Sequence, residues 1–289
     1  MRHWQFINVV LMTGLILLGV NRAVAQDTTA TPRVLSIGGA VTEIVYALEM
    51  DHLLIGRDTT STYPPQASDL PDVGYMRALS PEGVLAIAPD LVIAVEGAGP
   101  PETIDVLNAA GIEFVSIPEG YDAGSVRAKV EAVAEALGQA DRGAELAEQI
   151  GARLDAVTDN TAQTTPPRVL FILSMQSGRV MASGHGTAAD GVISMAGGRN
   201  AITDFEGYLP VTDEAVIAAD PDVILMMDRT GDHAIENDDL FTHPAISTTA
   251  AARNGNVIRM DGLLLLGFGP RTPQAVETLA QSLAQMGAS

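Results

Sequence analysis

A short unit occurs twice in this chain, and that repeat constrains its architecture more than any other feature. Leu79-Ser80-Pro81-Glu82-Gly83-Val84-Leu85-Ala86-Ile87-Ala88-Pro89-Asp90-Leu91-Val92-Ile93 corresponds to Val211-Thr212-Asp213-Glu214-Ala215-Val216-Ile217-Ala218-Ala219-Asp220-Pro221-Asp222-Val223-Ile224-Leu225 at a constant offset of 132. Each copy places a hydroxyl residue, Ser80 or Thr212, where it caps a helix, and an acid, Glu82 or Glu214, in the first turn. A Pro and Asp stop then ends the helix before an apolar strand run. The openings Arg33-Val34-Leu35 and Arg168-Val169-Leu170 match at an offset of 135. A helix-Pro-Asp-strand unit recurs for packing reasons alone, but the shared caps and shared acids favour duplication into two similar lobes.

The rest of the pattern agrees with α/β lobes. Val34–Ile37, Leu53–Gly56, Leu91–Val95 and Phe114–Ile117 read as strands. Thr42–Met50, capped by Thr42, Leu79–Ala88 and Glu102–Ala110 read as helices. Strands alternating with helices predict βαβ units and a largely parallel sheet. Helical apolar spacing over Val126–Leu137 and Arg142–Val157 precedes the polar stretch Thr158–Pro167, after which a second strand and helix series begins. The expected layout is an N-terminal α/β lobe over 26–138, a linking helix over 139–164 and a C-terminal α/β lobe over 165–289.

Residues 1–25 read as a cleaved secretory signal: Arg2 and His3, an apolar stretch from Phe6 to Val20, then Ala23-Val24-Ala25 as the cleavage site. That stretch is shorter than a spanning helix needs, and no later segment is apolar enough, so no membrane insertion is expected after cleavage. The chain has no cysteine, which excludes disulfides, thiolate sites and a lipid-bearing cysteine. A free protein of the periplasm of a Gram-negative cell fits these features.

The formal charge is −20, and loss of Arg2 and Arg22 with the signal makes the exported part more acidic still. Such a surface lacks the basic footprint that nucleic acid or anionic lipid requires. Enzyme signatures are missing: the chain has no G-x-S-x-G, no Walker loop and no strand-linked G-x-G-x-x-G.

Four loops carry candidate chemistry. Gly74-Tyr75-Met76-Arg77 precedes the first repeated helix and Gly207-Tyr208-Leu209-Pro210 precedes the second, so two tyrosines are expected to face one cleft. Arg77 lies two residues beyond Tyr75. A guanidinium favours phenolate, a hard donor suited to ferric iron, unless Arg77 pairs with Asp72 or Glu82. Gly267-Phe268-Gly269-Pro270-Arg271-Thr272-Pro273 presents Arg271 at the start of the last helix, suited to a ligand carboxylate or to an ordinary helix start. His185, flanked by Gly184 and Gly186, is an iron ligand, a carboxylate contact or a plain loop residue.

The runs Gly56–Pro64, Leu70–Ser80, Glu96–Pro101 and Gly269–Thr272 closely resemble periplasmic hemin-binding proteins of bacterial hemin ABC importers, and Gly74-Tyr75-Met76-Arg77 is the most specific part. The resemblance covers essentially all of the chain beyond the signal. It implies the class III periplasmic binding protein fold, two Rossmann-like lobes joined by a long rigid backbone helix. It also implies ferric heme b as transported ligand, with Tyr75 as axial ligand, Arg77 behind it and Arg271 near the propionates. Some relatives hold two hemes and use a second-lobe histidine, for which His185 is the candidate. Glu82 and Glu214 match acids that dock on a permease dimer with its ATPase, and a monomer is expected. The alternatives are a ferric siderophore or corrinoid receptor of the same fold and, from another class, a periplasmic heme-modifying enzyme.

Overall fold

The first sheet has the order β2 (Leu54–Arg57), β1 (Val34–Ile37), β3 (Leu91–Val95), β4 (Glu113–Ile117), with every pair parallel. Its two central strands, Val-Leu-Ser-Ile and Leu-Val-Ile-Ala-Val, are buried along their whole length. Continuous rather than alternating apolar runs are what a parallel sheet covered on both faces demands. The helices α1 (Gly39–Ala47), α2 (Pro81–Ala86) and α3 (Pro101–Ala109) are the crossovers that parallel pairing needs.

This is a computed structural model, and it describes residues 31–161, 165–176, 178–228 and 235–287; the expected signal over 1–25 lies outside the described residues. From Pro32 onward the chain forms one compact unit. After β4 come α4 (Ala123–Ala136) and α5 (Ala140–Asn160), which pack closely on each other. Gly143 permits this approach, because a Cβ there would lie 2.2 Å from the Ala134 methyl.

The second sheet contains β5 (Arg168–Gln176), β6 (Arg179–Ser183), β7 (Arg199–Asn200), β8 (Tyr208–Val211), β9 (Val223–Asp228) and β10 (Val257–Asp261), in the order β10-β9-β5-β6-β8 with β7 also on β5. It is mixed rather than parallel throughout. β10, β9 and β5 run parallel, while β6 forms an antiparallel hairpin with β5 and pairs antiparallel with β8. Gly178, at φ 74°, gives the hairpin its left-handed turn residue. Around this sheet lie α6 (Ala188–Met195), α7 (Asp213–Ala219), α8 (Asn237–Thr242), α9 (Ala250–Asn254), α10 (Gly262–Leu266) and α11 (Thr272–Gly287).

The repeat is real in three dimensions. Ser80 caps α2 by accepting from the Gly83 N–H, and Thr212 caps α7 by accepting from the Ala215 N–H. Val84 and Val216 anchor the two helices with no exposed surface. The Arg33 N–H donates to Asp90 at 2.8 Å, and the Arg168 N–H donates to Asp222 at 2.8 Å. Both arginine side chains then reach the end of the repeated helix: Arg33 to the Ile87 and Ala88 carbonyls, Arg168 to the Ala219 carbonyl. Ala88 and Asp220, one repeat apart, both take a left-handed backbone, at φ 47° and 36°.

Helix α1 begins earlier than the sequence suggests, at Gly39 rather than at a Thr42 cap. Thr42 sits fully buried in the first turn, where its hydroxyl bonds those of Ser36 and Ser61, each at 2.7 Å. One apolar core runs through both sheets and the helix pair between them. It joins Val34 and Ile93 to Val126 and Val130 of α4, Ile150 and Leu154 of α5, Phe171 and Leu225 of the second sheet, and Val276 and Leu279 of α11.

Candidate functional site

A cleft of about 610 Å³ opens where the two sheets direct the carboxyl ends of their strands. Gly38 and Gly39 follow β1, Thr60 follows β2, Val95 ends β3 and Glu119 and Tyr121 follow β4. From the second sheet come Leu173 of β5, Met227 of β9 and Asp261 of β10. Backbones diverge at such ends and leave room for a ligand. The two halves meet closely at its floor: a Cβ on Gly39 would lie 2.4 Å from the Leu263 side chain. Apolar walls come from Ala40, Met76, Val95, Leu173, Met227, Leu263 and Leu266.

Each half holds the start of one cleft-side helix with a buried polar network. Behind α1, fully buried Asp58 accepts from the Gly38 N–H at 2.9 Å, the Thr60 N–H at 3.0 Å, and the Thr60 and Ser61 hydroxyls at 2.7 Å each. Behind α6, the Asn200 amide donates to the Ser183 and Gly184 carbonyls and to Asp190, and Thr187 caps the helix.

The loop bearing Tyr75 is pinned from the end of β2. Arg57 donates to Asp72 at 2.8 Å, Asp72 accepts from the Gly74 N–H at 2.8 Å, and the Thr59 N–H donates to the Gly74 carbonyl. Gly74, at φ 100°, takes the turn that a side chain would strain. Asp72 is therefore spent on Arg57, and Glu82 accepts from Ser80, so neither pairs with Arg77. Among the described residues Arg77 forms no ion pair, and the Tyr75 hydroxyl has no hydrogen-bond partner. Tyr75 is 47% exposed at the cleft wall.

Two further tyrosines line the cleft, and both are held as phenols. Tyr208 opens strand β8 instead of lying in a loop. Burial pushes its hydroxyl pKa up, against hydrogen bonds to Thr187 and Ala189 and the Arg77 charge. Tyr121 packs edge-on to Phe268, ring centroids 5.3 Å apart, and burial likewise pushes its pKa up while Arg77 works against the shift. Arg77 thus sits within electrostatic reach of both rings. Glu119 is held by Lys129, the only lysine of the chain, whose side chain is fully buried.

Arg271 and His185 do not line the cleft. The Arg271 guanidinium grips buried Glu43 of α1 through two nitrogens, at 2.9 and 2.6 Å, and stacks 3.6 Å from the Tyr63 ring centre. It joins the start of α11 to the first half, where the sequence suggested a ligand carboxylate as its partner. Burial raises the Glu43 pKa, and Arg271 opposes that shift. The His185 backbone bridges to the Phe205–Gly207 segment, with its side chain in an exposed loop. Sequence reading missed Glu119, Tyr121, Met227 and Asp261; their position just after, or at the end of, strand runs is the signal that finds them.

A protein with two α/β halves and a cleft at their facing strand ends is built to hold a ligand, and the comparisons agree. The periplasmic binding protein family model matches residues 34–263, and the chain belongs to that family. Its members bind ligands for transport and are not enzymes. The periplasmic heme-binding protein BhuT, solved with two hemes, is 41% identical, with 89% of this chain and 99% of that one covered and a TM-score of 0.85. The periplasmic heme-binding protein RhuT from Roseiflexus sp. RS-1, in apo form, is 38% identical at the same coverage and TM-score. A vitamin B12-binding protein of Yersinia pestis is 27% identical over 259 residues, 89% of this chain and 88% of that protein.

Proposed function

We propose that this protein captures heme in the periplasm and delivers it to an ABC importer. The observation that carries this reading is a mostly apolar cleft lined both by an unpartnered phenol, Tyr75, and by an unpaired guanidinium, Arg77. A ferric tetrapyrrole is served by all three: apolar walls for the macrocycle, a phenol oxygen as one of the donors that ligate its iron and a cation for its carboxylates. The likeness to BhuT and RhuT supports the same ligand.

In this reading the cargo is ferric heme b, Tyr75 is the iron ligand, and Arg77 supports the phenolate or receives a propionate. Tyr208 provides a wall contact. Arg271 braces the two halves, and His185, outside the cleft, takes no part in a singly loaded state. Residues 1–25 direct export and are removed, and the remainder acts as a monomer with lobes over 26–138 and 165–289 held by the helix between them. Glu82 and Glu214, both exposed on capped helix starts, dock on the permease dimer that works with its ATPase.

The vitamin B12-binding relatives favour a second reading, a corrinoid as ligand. Titration of residues 26–289 with hemin and, separately, with cyanocobalamin decides between them. Saturable hemin binding with a high-spin, tyrosinate-type ferric spectrum that Tyr75→Ala abolishes is the expected result. Saturable cobalamin binding without hemin binding overturns the heme reading.

A further inference from the structure

The repeated helices carry more than one acid each. On α2, Glu82, Leu85 and Ala86 are exposed together; on α7, Glu214, Ile217 and Ala218 are exposed together, each residue one repeat offset from its counterpart. Positions i, i+3 and i+4 share one helix face. Leu85 is 39% and Ile217 48% exposed, and they are two of only six large hydrophobic side chains that exposed among the described residues. Single exposed aliphatic residues need no explanation. The same acid-plus-aliphatic face, shown twice on helices clamped alike by Arg33 and Arg168, is not accounted for by folding, since Val84 and Val216 already anchor both helices.

We infer that Leu85 with Ala86 and Ile217 with Ala218 form twin apolar contacts, each beside its glutamate, for the two like subunits of the importer's permease dimer. The inference rests on the proposed docking of Glu82 and Glu214 and adds what the acids alone do not supply. Two equivalent faces on one chain fit a two-fold partner that offers the same spot twice. The chemistry of each face specifies that spot: a basic side chain next to a shallow apolar seat. An exposed ion pair is weak and screened by salt, whereas an aliphatic side chain buried beside it excludes water and resists salt. Docking is then steered by charge and held by Leu85 and Ile217. The faces also lie close in sequence to the cleft wall, with Tyr75 and Arg77 before α2 and Tyr208 before α7.

The test measures binding of heme-loaded protein to the cognate permease–ATPase complex in lipid nanodiscs at low and high salt. It compares wild type, Leu85→Ser with Ile217→Ser, and Glu82→Ala with Glu214→Ala, with the hemin titration of each variant as the check on folding. The aliphatic double variant is expected to keep hemin binding, to dock roughly tenfold more weakly and to lose the salt-resistant part of the affinity. Wild-type docking by that variant overturns the inference. If the glutamate variant alone loses docking, the acidic knobs stand and the apolar contacts fall. If neither variant changes docking, these helices are not the permease site and both readings fall.

Discussion

The two halves of the molecule solve one problem with different chemistry. Each must hold a helix start at the cleft wall without spending groups that face the ligand. The first half uses a fully buried carboxylate, Asp58, that accepts four hydrogen bonds; the second uses a neutral amide, Asn200, that mainly donates. The tyrosines differ as well. Tyr75 stands free on a pinned loop, whereas Tyr208 is built into a strand and its hydroxyl pKa is pushed up by burial. Two like frames thus carry different groups at the cleft, a free phenol in the first half and a strand-bound one in the second.

The largest expected effect tests the buried networks. Asp58→Ala leaves four donors behind α1 unpaired and is expected to cost about 3–5 kcal/mol of stability. Asn200→Ala opens a neutral network and is expected to cost about 2 kcal/mol. Urea unfolding of both variants measures the gap, and equal losses break the contrast between a charged and a neutral brace.

The arginine clamps sharpen the comparison through pH. Arg33 reaches only carbonyls with its side chain, but Arg168 also pairs with Asp222 at 2.9 Å and Asp220 at 3.3 Å. Arg168 holds the Asp222 carboxyl below its usual range; the Ala250 N–H, with Arg168, does the same for Asp220. A depressed folded pKa gives stability that is fully present above the unfolded value, near 3.9, and is lost as pH falls through the folded value. Asp222→Asn should therefore cost up to about 1 kcal/mol at pH 7, since the pair is partly solvated, and progressively less as the pH falls through the folded value. A cost that does not shrink with acidification contradicts this assignment.

Tyr208→Phe removes a hydroxyl that lies near Thr187 and Ala189 and is expected to cost no more than about 1 kcal/mol. With Tyr75 proposed as the iron ligand, the variant should leave the ferric heme spectrum unchanged. A spectral change on the scale of Tyr75→Ala would make the two tyrosines equivalent and erase the functional half of the comparison.

Much of this architecture is legible in the sequence because it is local. The caps at Ser80 and Thr212, the Pro and Asp stops and the strand runs depend on neighbours along the chain, and the offset of 132 exposes the repeat. Tyr75 and Arg77 stand out for the same reason. What escapes is set by contacts distant in sequence. The grip of Arg271 on Glu43 spans 228 residues, so the sequence shows a glycine and proline loop with an arginine but not the buried acid that the arginine holds. Thr42 looks like a cap until Ser36 and Ser61 close around it. The antiparallel edge that carries Tyr208 follows from the hairpin at Gly178, which breaks the alternation of strand and helix.

The smallest expected effect concerns motion between the halves. Hinged receptors close on their ligands because few contacts cross the hinge. Here one apolar core passes from β1 and β3 through α4 and α5 into β5 and α11, so opening the halves exposes buried side chains at about 25 cal/mol per Å². The Gly39 and Leu263 contact at the cleft floor and the Arg271 and Glu43 pair add two further ties across it. Small-angle scattering of apo and heme-loaded protein should accordingly show a change in radius of gyration below about 1 Å, well short of a hinge closure. Arg271→Ala, which frees one tie and leaves the core whole, should widen that change only slightly; a large increase would move the rigidity from the shared core to the single ion pair.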